Sequence, residues 1–155
     1  MHDKTLLQLI ELDLAPAQQL LELLQAEAIA LRGRDMKVLE TILARKQSLI
    51  VQLEQHGRQR SQVLAKAGVP ANHSGLEQLA AASSLGKDLL AKSEMLNQLM
   101  LQCRQANEQN GQAIRLQQLA TANQLRILNG GESPSLYNAH GATSRLATAR
   151  ALSQA

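Results

Sequence analysis

The sequence predicts an all-α protein: an elongated antiparallel helical bundle or coiled-coil hairpin of three long helices plus a short helix, with a flexible C-terminal tail. Three observations predict this class. The composition favours helix formers, because leucine, alanine and glutamine are abundant and β-branched residues are few. Leucines recur at alternating spacings of three and four residues. The length of 155 residues suits one core. We therefore expect a bundle domain over residues 1–129 and a tail over residues 130–155.

The first helix is predicted to begin at a capping box formed by Thr5 and Gln8. Its apolar stripe follows heptad spacing through Leu7, Ile10, Leu14, Ala17, Leu21, Leu24, Ala28 and Leu31. Four further leucines widen the stripe: Leu6, Leu9, Leu20 and Leu23. A stripe this wide indicates contact with more than one neighbour. Pro16 lies off the stripe, so we expect a kinked but continuous helix.

The second helix follows a very short connection, in which Gly33 ends one helix and Asp35 caps the next. Helices joined so tightly run antiparallel. The second apolar stripe stops before Gly68 and Pro70, and comprises Met36, Leu39, Ile42, Leu43, Leu49, Ile50, Leu53, Val63, Leu64 and Ala67. Three polar residues interrupt it: Lys46, His56 and Arg60. Either these long side chains extend past the core and place their polar ends in solvent, or the surface that packs against the second helix is incomplete at these positions.

A short helix is predicted from a second capping box, Ser74 with Glu77, and a third long helix from about Leu85 to Asn129. The first half of the long helix is apolar, with Leu89, Leu96, Leu99, Met100 and Cys103. Residues 102–124 are richer in polar side chains, and three of these fall on the expected inner face: Asn110, Gln117 and Gln124. This stretch is either a weakly covered, solvated end or a surface that meets a polar or exchangeable partner.

The tail, residues 130–155, is mostly small and polar, yet four of its residues share one face of a possible helix: Ala142, Leu146, Ala149 and Leu152. Burying two leucines yields about 3–6 kcal/mol. Ordering a dozen residues costs about 1–2 kcal/mol for each backbone unit. We therefore expect the tail to be disordered or frayed until another surface completes it.

The charges are segregated along the chain, although the net charge is only +3. Residues 1–31 carry five acids against Lys4, a net charge of −4, and residues 32–68 carry eight Lys or Arg against three acids, a net charge of +5. Opposite charges on consecutive helices favour pairing within an antiparallel hairpin. Because no base-reading motif accompanies the basic helix, we expect no nucleic acid partner.

Several classes of chemistry are not supported by the sequence. Aromatic residues make up 1% of the chain, which argues against a nucleotide, flavin or base-stacking site. The histidines lack the spacing of a helical metal site: His2, His56, His73 and His140. Cys103 lies in an apolar stripe and is expected to be a core residue. We expect no enzyme, no metal and no cofactor.

The location expected is the cytoplasm. The lone cysteine suits a reducing compartment. No apolar run is long enough for membrane insertion. Acidic residues interrupt the apolar residues near the N-terminus, so this segment does not resemble a signal peptide.

The tail motif Leu136-Tyr137-Asn138-Ala139-His140-Gly141, placed after a helical hairpin and an overlong third helix, resembles the FlgN family of flagellar type III export chaperones. That family keeps hook-associated proteins unassembled in the cytoplasm and presents them to the membrane export gate. The resemblance implies docking to the cytoplasmic domain of the gate near Leu136, Tyr137 and Gly141. It also implies substrate binding by the apolar tail face, Ala142, Leu146, Ala149 and Leu152.

The leading hypothesis is therefore a non-catalytic export chaperone that binds helical termini of hook–filament junction proteins, prevents premature assembly and delivers them to the gate. The alternative is a structural coiled-coil scaffold that self-associates into homo-oligomers. The regular stripe from Leu7 to Leu31 supports the scaffold. The short connections instead favour pairing within one chain.

Overall fold

A computed structural model describes residues 1–129, and within this range the chain forms helices and no strand. Their bounds are α1 His2–Gly33, α2 Met36–Lys66, α3 His73–Ala81 and α4 Gly86–Leu128. The prediction of three long helices and a short one is confirmed. The predictions for the tail concern residues that lie outside the described range.

Polar contacts fix the helix directions within the first compact unit, Met1–Gly111. Asp13 and Glu27 of α1 bond to Arg60 and Lys46 of α2, respectively, so these helices are antiparallel. Two contacts between α1 and α4 show the opposite relationship, because the residue numbers rise together along both helices. Ala17 meets Cys103 and Leu24 meets Asn110, so α4 runs parallel to α1.

The buried face of α1 differs from the predicted stripe. It comprises Leu6, Ile10, Asp13, Ala17, Leu20, Leu24, Glu27, Ala30 and Leu31. Half of the predicted stripe is buried, whereas its alternate positions are only half-buried: Leu7, Leu14, Leu21 and Ala28. Leu7, Leu14 and Leu21 still pack against the core, and the buried face also includes two acids that the predicted stripe left out. Asp13 and Glu27 occupy inner positions, since α2 supplies cations to both.

The start of α1 also differs from prediction. The helix begins at His2, and the Thr5 hydroxyl donates to the Met1 carbonyl at 3.1 Å instead of capping a later start. The first turn is fixed by Asp3, which accepts from the N-terminal ammonium at 2.8 Å. This contact, together with a hydrogen bond from Ser83, lowers the pKa of Asp3. At Pro16 the helix continues without a break, as predicted.

The turn between α1 and α2 is formed by Arg34 and Asp35. Gly33 still belongs to α1, and the left-handed residue that ends the helix is Arg34, with φ of 52°. The predicted role of Gly33 as the terminating residue is therefore wrong by one position. Asp35 caps α2 as predicted, because its carboxylate accepts from the Val38 N–H at 3.3 Å.

The cap of α3 is Asn72, whose side chain accepts from the Gly75 N–H at 3.0 Å. The predicted capping box of Ser74 and Glu77 is therefore wrong. Gly75 explains the local geometry: a Cβ placed on it would lie 1.6 Å from the Pro70 carbonyl oxygen. The chain folds back tightly here, so the helix begins two residues earlier than a cap at Ser74 predicts.

The core of the first unit joins all four helices. Its most buried leucines are Leu6 and Leu24 on α1 and Leu89 on α4. Cys103 is buried among them, as predicted. On α2, Met36 and Leu43 are instead exposed, at 65% and 48%, so their assignment to an inner face was wrong. They lie off the face that carries the buried residues Ile42, Leu49 and Leu53.

Candidate protein-interaction site

The three polar interruptions on α2 meet buried carboxylates rather than solvent or a gap. Asp13 is completely buried. One of its oxygens lies 2.5 Å from His56 Nδ1, and the other accepts from Arg60. A buried carboxylate bonded by two cationic or polar partners is compensated. This cluster fixes the register of α1 and α2.

A second polar layer surrounds Glu27. Lys46 Nζ lies 3.1 Å from Glu27 Oε2 and also donates to Asn107 at 3.1 Å. Asn110 donates to Glu27 Oε1 and to the Leu24 carbonyl, both at 2.8 Å. Throughout residues 1–129, every buried side-chain nitrogen or oxygen has a hydrogen-bond partner. Such complete pairing indicates a structural layer.

The last part of α4 presents exposed apolar side chains. It belongs to a second unit that begins at Gln112. Five large residues there are between 55% and 79% exposed: Leu116, Leu119, Leu125, Ile127 and Leu128. Clustered apolar side chains on one exposed helical segment are typical of a surface that a partner covers.

The predicted polar inner face of α4 is correct in part. Asn110 is buried and Gln117 is half-buried, whereas Gln124 is exposed. The exposure of Gln124 agrees with the alternative of a weakly covered, solvated end.

The sequence-predicted site residues lie outside the described part of the chain. This applies to the gate-docking residues Leu136, Tyr137 and Gly141. It applies equally to the substrate-binding residues, namely Ala142, Leu146, Ala149 and Leu152. Their roles stay predictions. The exposed leucines of α4 were not among the predicted site residues, although the sequence shows apolar residues there without a matching stripe.

Other chemistry is limited in the described range. Burial raises the pKa of the Cys103 thiol, which opposes formation of a nucleophilic thiolate. Residues 1–129 contain no group of three or more metal-ligating side chains. None of the four helices described combines the length and apolarity required to span a bilayer.

Comparison with known proteins gives two similarities. Residues 1–145 match the family described as FlgN protein. The chain is also similar to a solved structure from Pseudomonas aeruginosa, assigned as the flagella synthesis protein FlgN. The two share 40% identity, with 80% of this chain and 95% of that chain covered and a TM-score of 0.68. No curated protein matches the sequence.

Proposed function

The chain belongs to the FlgN family of flagellar chaperones, and we propose on this basis that it is a cytoplasmic, non-catalytic chaperone for type III export. In this proposal it binds the helical termini of hook-associated proteins, prevents their premature assembly and delivers them to the export gate.

The observation that carries the proposal is the exposed apolar end of α4. Ile127 and Leu128 are 75% and 79% exposed, and only Asn129 separates them from the tail. A client helix laid on such a surface would supply the missing apolar contacts. In this proposal the tail becomes ordered on binding, which costs about 2–5 kcal/mol of the gross interaction energy and keeps binding reversible.

Two parts of the tail have separate roles in the proposal. Ala142, Leu146, Ala149 and Leu152 form the client-binding face. Leu136, Tyr137 and Gly141 dock to the gate, with Tyr137 as the aromatic anchor. These positions come from the family resemblance and from the spacing of apolar residues in the sequence.

The client-binding role is tested with full-length variants. We expect Leu146→Asp with Leu152→Asp to weaken binding of a purified hook-associated protein by about tenfold or more, because two apolar anchors become charged. The matched control is Ser144→Asp with Ala151→Asp, which adds the same charge to the opposite face of a tail helix. Equal binding by the two double variants would contradict the proposal. The measurement is calorimetric titration.

The gate-docking role is tested separately. Tyr137→Ala should weaken binding to the cytoplasmic domain of the gate more than binding to the client, whereas Tyr137→Phe keeps the ring and should retain most gate affinity. Equal losses of gate and client affinity in Tyr137→Ala would reject the division of roles.

A further inference from the structure

The buried positions of α4 stop well before the helix does. Four of them follow one another at a spacing of seven residues: Leu89, Leu96, Cys103 and Asn110. The same spacing leads next to Gln117, which is half-buried, and then to Gln124, which is exposed. Within the described part of the chain, residues 112–129 include no buried side chain. The buried face of α4 therefore ends at Asn110, although the helix continues to Leu128.

Asn110 fastens α4 to the first unit through a polar layer. Its amide donates to the Leu24 carbonyl and to Glu27 Oε1, both at 2.8 Å, and the residue is 4% exposed. Lys46 of α2 bonds to the same Glu27 carboxylate. A buried network whose members are all satisfied makes the elements that share it rigid. The polar layer around Glu27 therefore holds α4 in place up to Asn110.

Gly111 follows this layer directly, in the interior of α4. Glycine weakens a helix interior, because it loses more conformational freedom on folding than any other residue. The compact unit that contains Asn110 ends at Gly111, and the second unit begins at Gln112. A weak position in the helix thus coincides with the boundary between the two units.

The distal segment of α4, residues 112–128, has little to stabilise it as a helix. Helices in proteins owe most of their stability to the packing of an apolar face. The five large apolar side chains noted above in this segment are between 55% and 79% exposed. The hydroxyl of Thr121 donates within the helix, to the Gln117 carbonyl at 2.9 Å. A helix with few buried contacts and exposed backbone hydrogen bonds opens at a low cost in free energy.

We infer that the distal segment unfolds and re-forms its helix without unfolding the first unit, and that the boundary lies at Gly111, just after the polar layer around Glu27. The inference concerns the free chain and goes beyond the proposed function. In that function, a client that covers the distal segment would order this segment alone. Binding and release would then leave the core of the first unit intact.

Hydrogen exchange of the free, full-length chain tests the inference. The backbone amides of residues 115–128 should exchange about a hundredfold or more faster than the slowest amides of residues 89–110, because their opening does not require global unfolding. The amides of residues 112–114 are left out of the comparison, since each bonds to a carbonyl one turn earlier, in the part of α4 that is held in place.

A matched pair of proline variants then separates the two parts of α4. Arg104 and Arg115 are both exposed and lie about three turns apart on the same side of the helix. Arg115→Pro should abolish protection in the distal segment and leave the slowest amides of residues 89–110 unchanged. Arg104→Pro should accelerate those slowest amides about a hundredfold, because it breaks a helix on which the core depends. Circular dichroism checks that each variant is folded.

A milder pair keeps the test decisive if Arg104→Pro does not fold. Arg104→Gly should accelerate the slowest amides about four- to fivefold, the usual effect of glycine in a helix interior, whereas Arg115→Gly should leave them unchanged. Equal acceleration by the two members of either pair would show that α4 unfolds as one piece, and would overturn the inference. Protection of residues 115–128 equal to that of residues 89–110 would overturn it as well. No client takes part in these measurements, so a failure to bind clients would reject the proposed function alone.

Discussion

Asp13 and Arg60 form an ion pair in which the carboxylate is completely buried and the guanidinium is 22% exposed. His56 Nδ1 lies 2.5 Å from the other carboxylate oxygen. The two partners are therefore unequal. Arg60 retains access to water when Asp13 is removed, whereas Asp13 has none when Arg60 is removed.

Removal of the cation is expected to destabilise the fold strongly. Arg60→Leu should lower the free energy of unfolding by about 3–5 kcal/mol, because it strands a buried charge. The double change Asp13→Leu with Arg60→Leu should recover much of that loss, since the uncompensated charge is gone. Urea unfolding gives both values. Arg58→Leu, at an exposed neighbouring position, is the control, and a loss equal to that of Arg60→Leu would contradict the prediction.

The same pair explains what the sequence could and could not predict. The segregation of charge between residues 1–31 and 32–68 predicted antiparallel pairing, and the structure shows this pairing at Asp13 and Glu27. The helical periodicity correctly predicted three long helices and one short helix. It could not place the two acids on the inner face, because their burial depends on cations that are 47 and 19 residues away in sequence.

A cleft lined by side chains that include Leu6, Leu64, Leu76 and Leu96 was beyond sequence analysis for a similar reason. Its lining combines side chains of four helices, and no spacing within one helix identifies it. By contrast, weak cover of residues 102–124 was one of the two alternatives that the sequence left open, because this stretch lacks a regular apolar stripe, and Leu116 and Leu119 within it are exposed. The ends of the helices were the least predictable feature. At Arg34 the left-handed backbone conformation of one residue ends α1, and the apolar spacing does not indicate which residue adopts it.

Substitutions at the end of α1 should distinguish Gly33 from Arg34. Gly33→Ala should stabilise the protein by about 0.5–1 kcal/mol, because Gly33 is helical and an added Cβ meets nothing within 4 Å. Arg34→Gly should relieve a left-handed conformation that costs non-glycine residues roughly 1–2 kcal/mol. Thermal unfolding measures both. Destabilisation by Gly33→Ala would instead support the sequence-based assignment of Gly33 as the terminating residue.

Asn110 is expected to be sensitive to a change of charge. Asn110→Asp would replace the donor that bonds to Glu27 Oε1 with a second carboxylate. The variant should lose about 1–3 kcal/mol of stability at neutral pH, because the Glu27 carboxylate and the Leu24 carbonyl both lose their hydrogen bond from the Asn110 amide. The loss should shrink as the pH falls, because protonation of the introduced carboxyl removes the repulsion between the two charges. Asn107→Asp is the control, because Asn107 is exposed and bonds to Lys46. An equal and pH-independent loss in both variants would contradict this account.

Cys103 is expected to make stability depend on alkaline pH. Its Sγ donates to the Ala17 carbonyl at 3.5 Å, and burial raises the pKa of the thiol above its ordinary value of 9.0. Well below that value the thiol is protonated in both the folded and unfolded states. As the pH rises above that value, the unfolded chain ionises first, so the thiol's contribution to stability is lost.

The measurement compares wild type with Cys103→Val, which has no titrating group at this position. The wild type should lose stability relative to the variant between about pH 8 and pH 10, the region in which an unfolded cysteine ionises. Thiol reagents should modify the native protein only as fast as it unfolds, because the thiolate and access to it both require opening. A stability difference that stays constant over this pH range would show that the buried thiol does not titrate as its environment requires.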